Sequence, residues 1–155
     1  MATLPPVPRL QVSDNVAFLF FSVFARFEYA LKASGMYRSS RNYVEPDWEA
    51  FKVWADGNLT VATGSEAEHA VQRLLRQPPR IQTGPTTWKN RPLGGATPQS
   101  QAIEAARRVR NNLFHGGKHL PPSATGRDAA LLEDSLTLLA ECISAHPDVG
   151  LNFRQ

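Results

Sequence analysis

The chain has a single cysteine, Cys142, among its 155 residues. Without a second cysteine no intrachain disulfide can form, which fits a reducing compartment such as the cytoplasm. The chain also lacks an apolar segment long enough to cross a bilayer, because its most apolar run, residues 16–25, is followed at once by Arg26 and Glu28. Three prolines precede this run in place of a compact basic start, so it does not read as a signal peptide. We therefore expect no association with a membrane.

Neither sign of charge dominates the composition, because the formal net charge at pH 7 is only +3. This small basic excess is compatible with a polyanionic partner but does not establish one. Alternating strand patterns and internal repeats are also missing. What remains is helical periodicity in a chain that is 42% hydrophobic, enough for one core. We expect an all-α fold, a bundle of four to five helices.

Capping residues, prolines and glycines predict where these helices begin and end. In chain order, the predicted helices run from Ser13 or Asp14 to about Ser34, from Pro46 to Gly57, from Ser65 to about Gln77, from Thr97 to about His115 before Gly116-Gly117, and from about Asp128 to Ala145. A loop rich in proline and glycine, residues 78–96, precedes the fourth helix. Residues 1–12 are expected to form an extended arm, and residues 13–155 a single helical domain.

The first predicted helix is apolar around almost its whole circumference. Such a helix must be enclosed by neighbouring elements or by a second subunit. Glu28 lies inside the stripe formed by Phe21, Phe24 and Leu31, where an unpaired carboxylate would be costly. We expect Arg110 to be its partner.

Polar residues cluster near the C-terminal end of the fourth predicted helix. Arg110 lies at the edge of the core-facing stripe, whereas Asn111 and His115 share a more exposed face with Arg107. On a regular helix Arg110 and His115 are about 140° apart. Both side chains could contact one small group only if the helix end unwinds, or if a second copy of the helix supplies one of the two.

The run Arg110-Asn111-Asn112-Leu113-Phe114-His115 resembles the signature of HEPN domains, an arginine and a histidine a few residues apart with asparagine often following the arginine. Gly116-Gly117-Lys118, the leucine-rich helix at 128–143 and the aromatic opening helix with its embedded acid also resemble members of that superfamily. The resemblance covers the helices at both ends of the chain, and residues from about 36 to 96 add nothing distinctive to it.

HEPN nucleases are metal-independent endoribonucleases that act as dimers, with the motifs of both subunits lining one cleft. The resemblance implies that His115 is the general acid/base for attack by a ribose 2′-OH on the adjacent phosphorus, leaving a 2′,3′-cyclic phosphate and a 5′-OH. It implies that Arg110 holds the scissile phosphate and stabilises the transition state. Asn111 would orient the imidazole or bind a phosphate oxygen. No cofactor or metal is expected.

Further roles follow for the surrounding residues and for partners. Glu28 would hold Arg110 in position, and Arg107, Arg108 and Lys118 would form a track for the RNA backbone. The partners implied are RNA, a second copy of the chain and a cognate antitoxin protein, as in toxin–antitoxin and other bacterial defence systems.

Other interpretations of the same residues stay open. Arg110 can be a structural arginine paired with Glu28, and His115 a helix C-cap. Many HEPN domains keep the bundle but serve as non-catalytic modules that bind RNA or a partner protein. A helical DNA-binding regulator is a third class, although no helix-turn-helix pair with a basic recognition helix stands out. His115 and His119 have the spacing of a metal pair on a helix, but Gly116-Gly117 interrupts the helix between them.

Overall fold

The computed structural model describes residues 12–114 and 126–155, and within these ranges the chain forms six helices and two small antiparallel sheets. The helices are α1 (Asp14–Ala33), α2 (Trp48–Asn58), α3 (Glu66–Arg76), α4 (Pro98–Phe114), α5 (Arg127–Ala145) and α6 (Pro147–Arg154). The strands are β1 (Tyr37–Ser40), β2 (Tyr43–Pro46), β3 (Ile81–Gln82) and β4 (Trp88–Lys89). The expected mainly helical fold is confirmed for this part of the chain. The predicted arm lies outside the described residues except for Val12, as does the predicted C-terminal end of the fourth helix.

Local capping explains where the helices start. The Ser13 hydroxyl accepts a hydrogen bond from the Val16 N–H at 3.3 Å, and the Ser65 hydroxyl accepts one from the Glu68 N–H at 3.1 Å. These bonds satisfy backbone donors that have no partner inside the helix. Gly35, with a φ of +82°, follows the end of α1 in the left-handed conformation that glycine adopts without strain. The predicted starts of α1 and α3 are therefore confirmed.

The start of α4 is tied to α2 as well as capped locally. The Thr97 hydroxyl accepts a hydrogen bond from the Ser100 N–H at 3.3 Å, and Pro98 takes the first helical position. The Asp56 carboxylate accepts from the Thr97 N–H at 3.0 Å. Hydrogen bonds from Ser100 and Thr97 hold the pKa of Asp56 below its ordinary value. The helix that carries the candidate site thus begins at a point anchored to α2.

The absence of strands was a wrong prediction. β1 and β2 form a hairpin in which Arg38 lies opposite Glu45 and Ser40 lies opposite Tyr43. A second, two-residue pair, β3 and β4, lies inside the segment expected to be a loop. Pro46 ends β2 and does not open the second helix; α2 is capped instead by the Asp47 carboxylate, which accepts from the Ala50 N–H at 3.0 Å. These strands are too short to produce a readable alternation.

The hydrophobic core lies between α1, α2, α3, α4 and α5, and α6 closes it against α1. Its largest fully buried side chains are Phe20, Phe24, Phe27, Phe51, Leu31, Leu74, Ile103, Leu132, Leu138 and Leu139. The stripe of α4 expected to face the core is fully buried at Ala102, Ala106 and Val109, whereas its fourth member, Leu113, is partly buried. α1 crosses this core for most of its length, so the acid that it carries at Glu28 is brought next to α4.

Two features of the C-terminal region were not predicted. A sixth helix, α6, follows α5 directly, because His146 ends one helix and caps the next. Gly150 permits α6 to pack closely against the end of α5, since a Cβ there would lie 2.5 Å from the Ile143 carbonyl oxygen. Asp134 of α5 is buried, although a charged residue ordinarily lies on the solvent side of a helix, and Arg73 of α3 donates to it at 2.7 Å. That ion pair joins α3 to α5.

Within residues 12–114 and 126–155, every helix is too short or too polar to cross a bilayer.

Candidate functional site

A pocket of about 240 Å³ lies where α1, the β1–β2 hairpin, α2 and α4 meet. It is lined by Phe24, Glu28, Arg38, Glu45, Pro46, Trp48, Arg107, Arg110 and Asn111. Three guanidinium groups face two carboxylates in this lining, so the pocket is polar with an excess of positive charge. Its volume falls below the roughly 300–1,000 Å³ typical of sites that enclose a whole small-molecule ligand. The pocket suits a part of a larger ligand, such as one phosphate or sugar unit.

Arg110 is held inside the pocket by three neighbours. One of its terminal nitrogens lies 3.5 Å from the Glu28 carboxylate, and the other donates to the Asn111 side-chain oxygen at 3.0 Å. The guanidinium carbon lies 5.8 Å from the centre of the Phe24 ring, within cation–π range. About a third of the side chain remains exposed. The fork is therefore oriented and still accessible to an anion.

Glu28 is oriented from its other side by Trp48. The Trp48 indole N–H donates to one Glu28 carboxylate oxygen at 3.2 Å, while the second oxygen faces Arg110. Trp48 itself is buried, and its ring packs against Phe24 and Phe27 with centroids 5.2 Å and 5.4 Å away. The expected pairing of Glu28 with Arg110 is present, and a rigid aromatic cluster holds it.

Arg107 forms the second cationic wall of the pocket. Its guanidinium carbon lies 5.4 Å from the centre of the Trp48 ring, and its nitrogen lies 3.3 Å from carboxylate oxygens of both Glu49 and Glu104. Lys52, almost fully buried, binds the same two carboxylates at 2.9 Å and 3.2 Å. These contacts form one network that joins α2 to α4 behind the pocket. Because Arg108 also contacts Glu104, three cations share two carboxylates, and the network keeps an excess of positive charge.

Arg108 has a different environment from its two neighbours on α4. It is buried, and its guanidinium donates to the Arg91 and Pro92 carbonyl oxygens at 2.6 Å and 2.7 Å and lies 3.4 Å from Glu104. Bonds of this kind fasten the segment before α4 to the helix. Arg108 is not part of the pocket lining, so its position does not support the predicted contact with RNA.

Arg38 and Glu45 belong to the pocket although the sequence provided no signal for them. They are a cross-strand pair on the hairpin, with 3.2 Å between their charged groups. Strands of four residues form a hairpin only where the surrounding fold supports them, so no sequence motif marks Arg38 and Glu45 as a pair. Their half-exposed side chains form the outer rim of the pocket.

The remaining motif residues divide into those that are described and those that are not. Asn111 lines the pocket together with Arg107 and Arg110, so these three side chains converge although the helical wheel put Arg110 at the edge of a different face. The Asn112 amide donates to the Arg80 carbonyl oxygen at 2.8 Å, which is a structural contact. His115 and Lys118 lie outside the described residues, so their predicted roles stay predictions.

Within the described ranges, no group of three or more His, Cys, Asp or Glu side chains is arranged to hold a metal ion. Cys142 is fully buried, as expected for a small hydrophobic residue, and burial raises the pKa of its thiol far above the ordinary value.

No protein-family model, curated protein or solved structure matches this chain. The resemblance to HEPN domains therefore rests on the motif and its surroundings. Independently of it, the pocket joins three arginines, an amide and an aromatic floor. Guanidinium forks and amide N–H groups are the donors that bind phosphate oxygens.

Proposed function

We propose that the protein is a metal-independent endoribonuclease of HEPN type that acts as a homodimer. The observation that carries the proposal is the setting of Arg110, an oriented and partly exposed guanidinium in a cationic pocket at the end of the motif helix. A fixed cation of this kind stabilises the charge that builds up on a phosphate in the transition state. In the proposed reaction, Arg110 binds the scissile phosphate, and Arg107 and Asn111 bind its remaining oxygens or the neighbouring phosphate.

The proposed chemistry needs no group other than protein side chains. The ribose 2′-oxygen attacks phosphorus, the O2′–P bond forms and the P–O5′ bond breaks. A base removes the 2′-OH proton and an acid gives a proton to the departing 5′-oxygen, so the products are a 2′,3′-cyclic phosphate and a 5′-OH. We assign the acid/base role to His115, which the HEPN motif puts one turn beyond Asn111.

Dimerisation is part of the proposal because one subunit offers a single copy of the motif. Support comes from the N-terminal half of α1, where Phe18, Leu19 and Phe21 are each at least half exposed. Phe114 at the end of α4 is 40% exposed and packs edge-on against Phe21, with centroids 5.2 Å apart. This aromatic surface, named the α1–α4 patch below, adjoins the helix end that carries the motif. A contact between two such patches would bring two motifs together.

The proposal extends to a bacterial toxin–antitoxin or other defence role, a cognate antitoxin protein and a cytoplasmic location. The first two are implied by the HEPN resemblance. The single cysteine is consistent with the third.

A non-catalytic HEPN module that binds RNA or a partner protein is the alternative. The specific observation in its favour is that Arg110 already pairs with Glu28 and donates to Asn111. An arginine held in this way can have a purely structural role. The two functions differ in whether His115 is required.

Cleavage of a mixed RNA pool in EDTA, followed by analysis of the fragment ends, tests the proposal. We expect the wild-type protein to leave cyclic phosphate ends. His115→Ala should lower the rate by about 10²–10⁴-fold, as for loss of a general acid/base. Arg110→Ala should lower it by about 10²–10³-fold, and Arg110→Lys should not restore it, because an ammonium group lacks the planar fork.

Arg76→Ala is the matched control, since Arg76 is an exposed arginine on α3, away from the pocket. It should cut at the wild-type rate. If the folded, dimeric wild-type protein cuts no RNA, or if His115→Ala cuts normally, the nuclease assignment fails. RNA binding that persists in the first case would establish the non-catalytic module.

A further inference from the structure

The β1–β2 hairpin carries aromatic and basic side chains beside the pocket that the proposed chemistry does not use. All four residues of β1 are exposed, and so are Tyr43 and Val44 of β2. Arg41 lies in the two-residue loop between the strands and makes no ion pair with any described residue. Large aromatic and charged side chains at the edge of a binding pocket indicate a surface for a ligand.

The strand register decides which of these side chains face the pocket. Side chains alternate between the two faces of a strand, and directly opposed residues share a face. Arg38 lies opposite Glu45 and both line the pocket, so that face is the pocket side. Pro46 also lines the pocket, but it is the last residue of β2, where the chain leaves the hairpin for α2. Tyr43 is two residues from Glu45 on the same strand and therefore shares the pocket side, about 7 Å farther along. Tyr29 of α1, also nearly half exposed, is not part of the pocket lining.

Tyr43 has the features of a stacking platform. Its side chain is 61% exposed, so its ring does not belong to the core. Basic side chains that follow a phosphate backbone, combined with aromatic rings on which bases stack, are the means by which proteins bind single-stranded nucleic acid. Here Arg38 and Arg41 flank Tyr43 on the hairpin, and Arg107 and Arg110 lie in the adjoining pocket.

We propose that the hairpin makes the site selective for single-stranded RNA, with a phosphate bound at Arg110 and the neighbouring base stacked on Tyr43. This inference rests on the proposed function in that it takes the pocket to hold an RNA phosphate. In a duplex each base is already stacked between its neighbours, so no base face is open to the Tyr43 ring. Double-stranded RNA of the same sequence should therefore bind more weakly.

Binding of a short, mixed-sequence, fluorescein-labelled 2′-O-methyl RNA, measured by fluorescence anisotropy, tests the inference. The methylated 2′-oxygen cannot attack phosphorus, so the probe survives whether or not the protein is a nuclease. We expect Tyr43→Ala to raise the Kd at least about fivefold, the effect of losing one stacked base. Tyr43→Phe keeps the ring face and should bind within about twofold of wild type. Tyr29→Ala, the matched control on α1 outside the pocket lining, should bind like wild type.

Binding and cleavage measurements together distinguish a failure of this inference from a failure of the nuclease proposal. If Tyr43→Ala, checked by circular dichroism to be folded, binds the probe as tightly as wild type, the inference is overturned even where RNA is cleaved. Equal affinity for the annealed duplex, or no binding of the probe by wild type, overturns it as well. If Tyr43→Ala alone loses affinity for the probe while the wild-type protein cleaves no RNA, the inference is supported and only the proposed catalytic activity is rejected.

Discussion

Three arginines within one turn of α4 have different environments, and these determine what each can do. Arg108 is buried and donates to main-chain carbonyl oxygens, so it is a structural residue. Arg107 lies against Trp48 and shares two carboxylates with Lys52. Arg110 keeps a third of its side chain exposed and pairs with one carboxylate, Glu28. Identical side chains at adjacent positions therefore differ in access to a ligand, and only Arg107 and Arg110 face the pocket.

Glu28→Gln tests whether Glu28 positions Arg110. Glutamine can still accept from the Trp48 indole, but it cannot hold the guanidinium by charge. We expect RNA cleavage to fall by about 10–100-fold, since a small displacement of a catalytic group has effects of that size. Because the pair is partly exposed, its loss should change the free energy of unfolding by less than about 1 kcal/mol. Initial rates and urea unfolding measure the two quantities.

Glu133→Gln is the matched control, because Glu133 is an exposed carboxylate on α5 and its loss changes the net charge by the same amount. It should leave the cleavage rate unchanged. Wild-type activity in Glu28→Gln would contradict a positioning role. A large loss of stability in that variant would instead mean that Glu28 serves the fold.

At the scale of elements, the junction between α5 and α6 depends on one histidine. His146 ends α5, and its Nδ1 accepts a hydrogen bond from the Val149 N–H at 3.4 Å, which requires that nitrogen to be unprotonated. The ring packs against Trp54, with centroids 4.5 Å apart. Burial lowers the pKa of His146 below its ordinary value of 6.5, and the nearby Asp148 carboxylate only partly opposes this.

We therefore expect acid to weaken the fold through His146. Well above pH 6.5 the ring is neutral in the folded and unfolded chains, so its contribution is fully present. As the pH falls, the unfolded chain takes up a proton more readily than the folded one, so the free energy of unfolding decreases until the pH has passed the lowered folded-state pKa. Urea unfolding between about pH 7.5 and about pH 5 measures this decrease.

His146→Asn supplies the comparison, because asparagine caps a helix and does not titrate in this range. Its stability should decrease less over the same interval than that of the wild-type protein. The wild-type protein also contains His69 and two further histidines, so the difference between the two proteins isolates His146. An identical slope in both would show that another group is responsible.

For the molecule as a whole, the distribution of apolar surface predicts self-association. α1 is buried along Phe24, Phe27 and Leu31, but Phe18 is 72% exposed and Phe21 is half exposed. Contiguous apolar groups of this kind on a surface mark interaction sites. The α1–α4 patch is the surface that we expect to join two copies.

Phe18→Glu should convert a dimer into a monomer, because a carboxylate introduced on each side would be buried without a partner. Sedimentation velocity measures the change. The variant should stay folded, since Phe18 is exposed in the single chain. If the two motifs share one cleft, RNA cleavage should be lost with the dimer.

Val53→Glu is the control, because Val53 is 71% exposed on α2, outside the patch. It should sediment like wild type. A wild-type protein that is monomeric at high concentration, or a Phe18→Glu variant that remains dimeric, would exclude this interface.

Features that act within about four residues were predictable from the chain. The caps at Ser13, Ser65 and Thr97 bind backbone donors in the next turn, and Gly35 follows directly on the end of α1. These helix boundaries therefore follow from local chemistry. Pairing of Glu28 with Arg110 followed from placing residues on helical faces. The hairpins were missed because four-residue and two-residue strands carry too few alternations to be distinguished from loops.

What local chemistry leaves open is which distant side chains meet. Arg38 and Glu45 line the pocket because the hairpin packs beside α1, and no spacing in the chain relates them to Arg110. Asp134 is buried because Arg73, 61 residues away, lies across from it and compensates its charge. Helix starts depend on bonds within one turn, which the residue order contains. Pocket membership and buried ion pairs depend on contacts between segments, which exist only once the helices have packed.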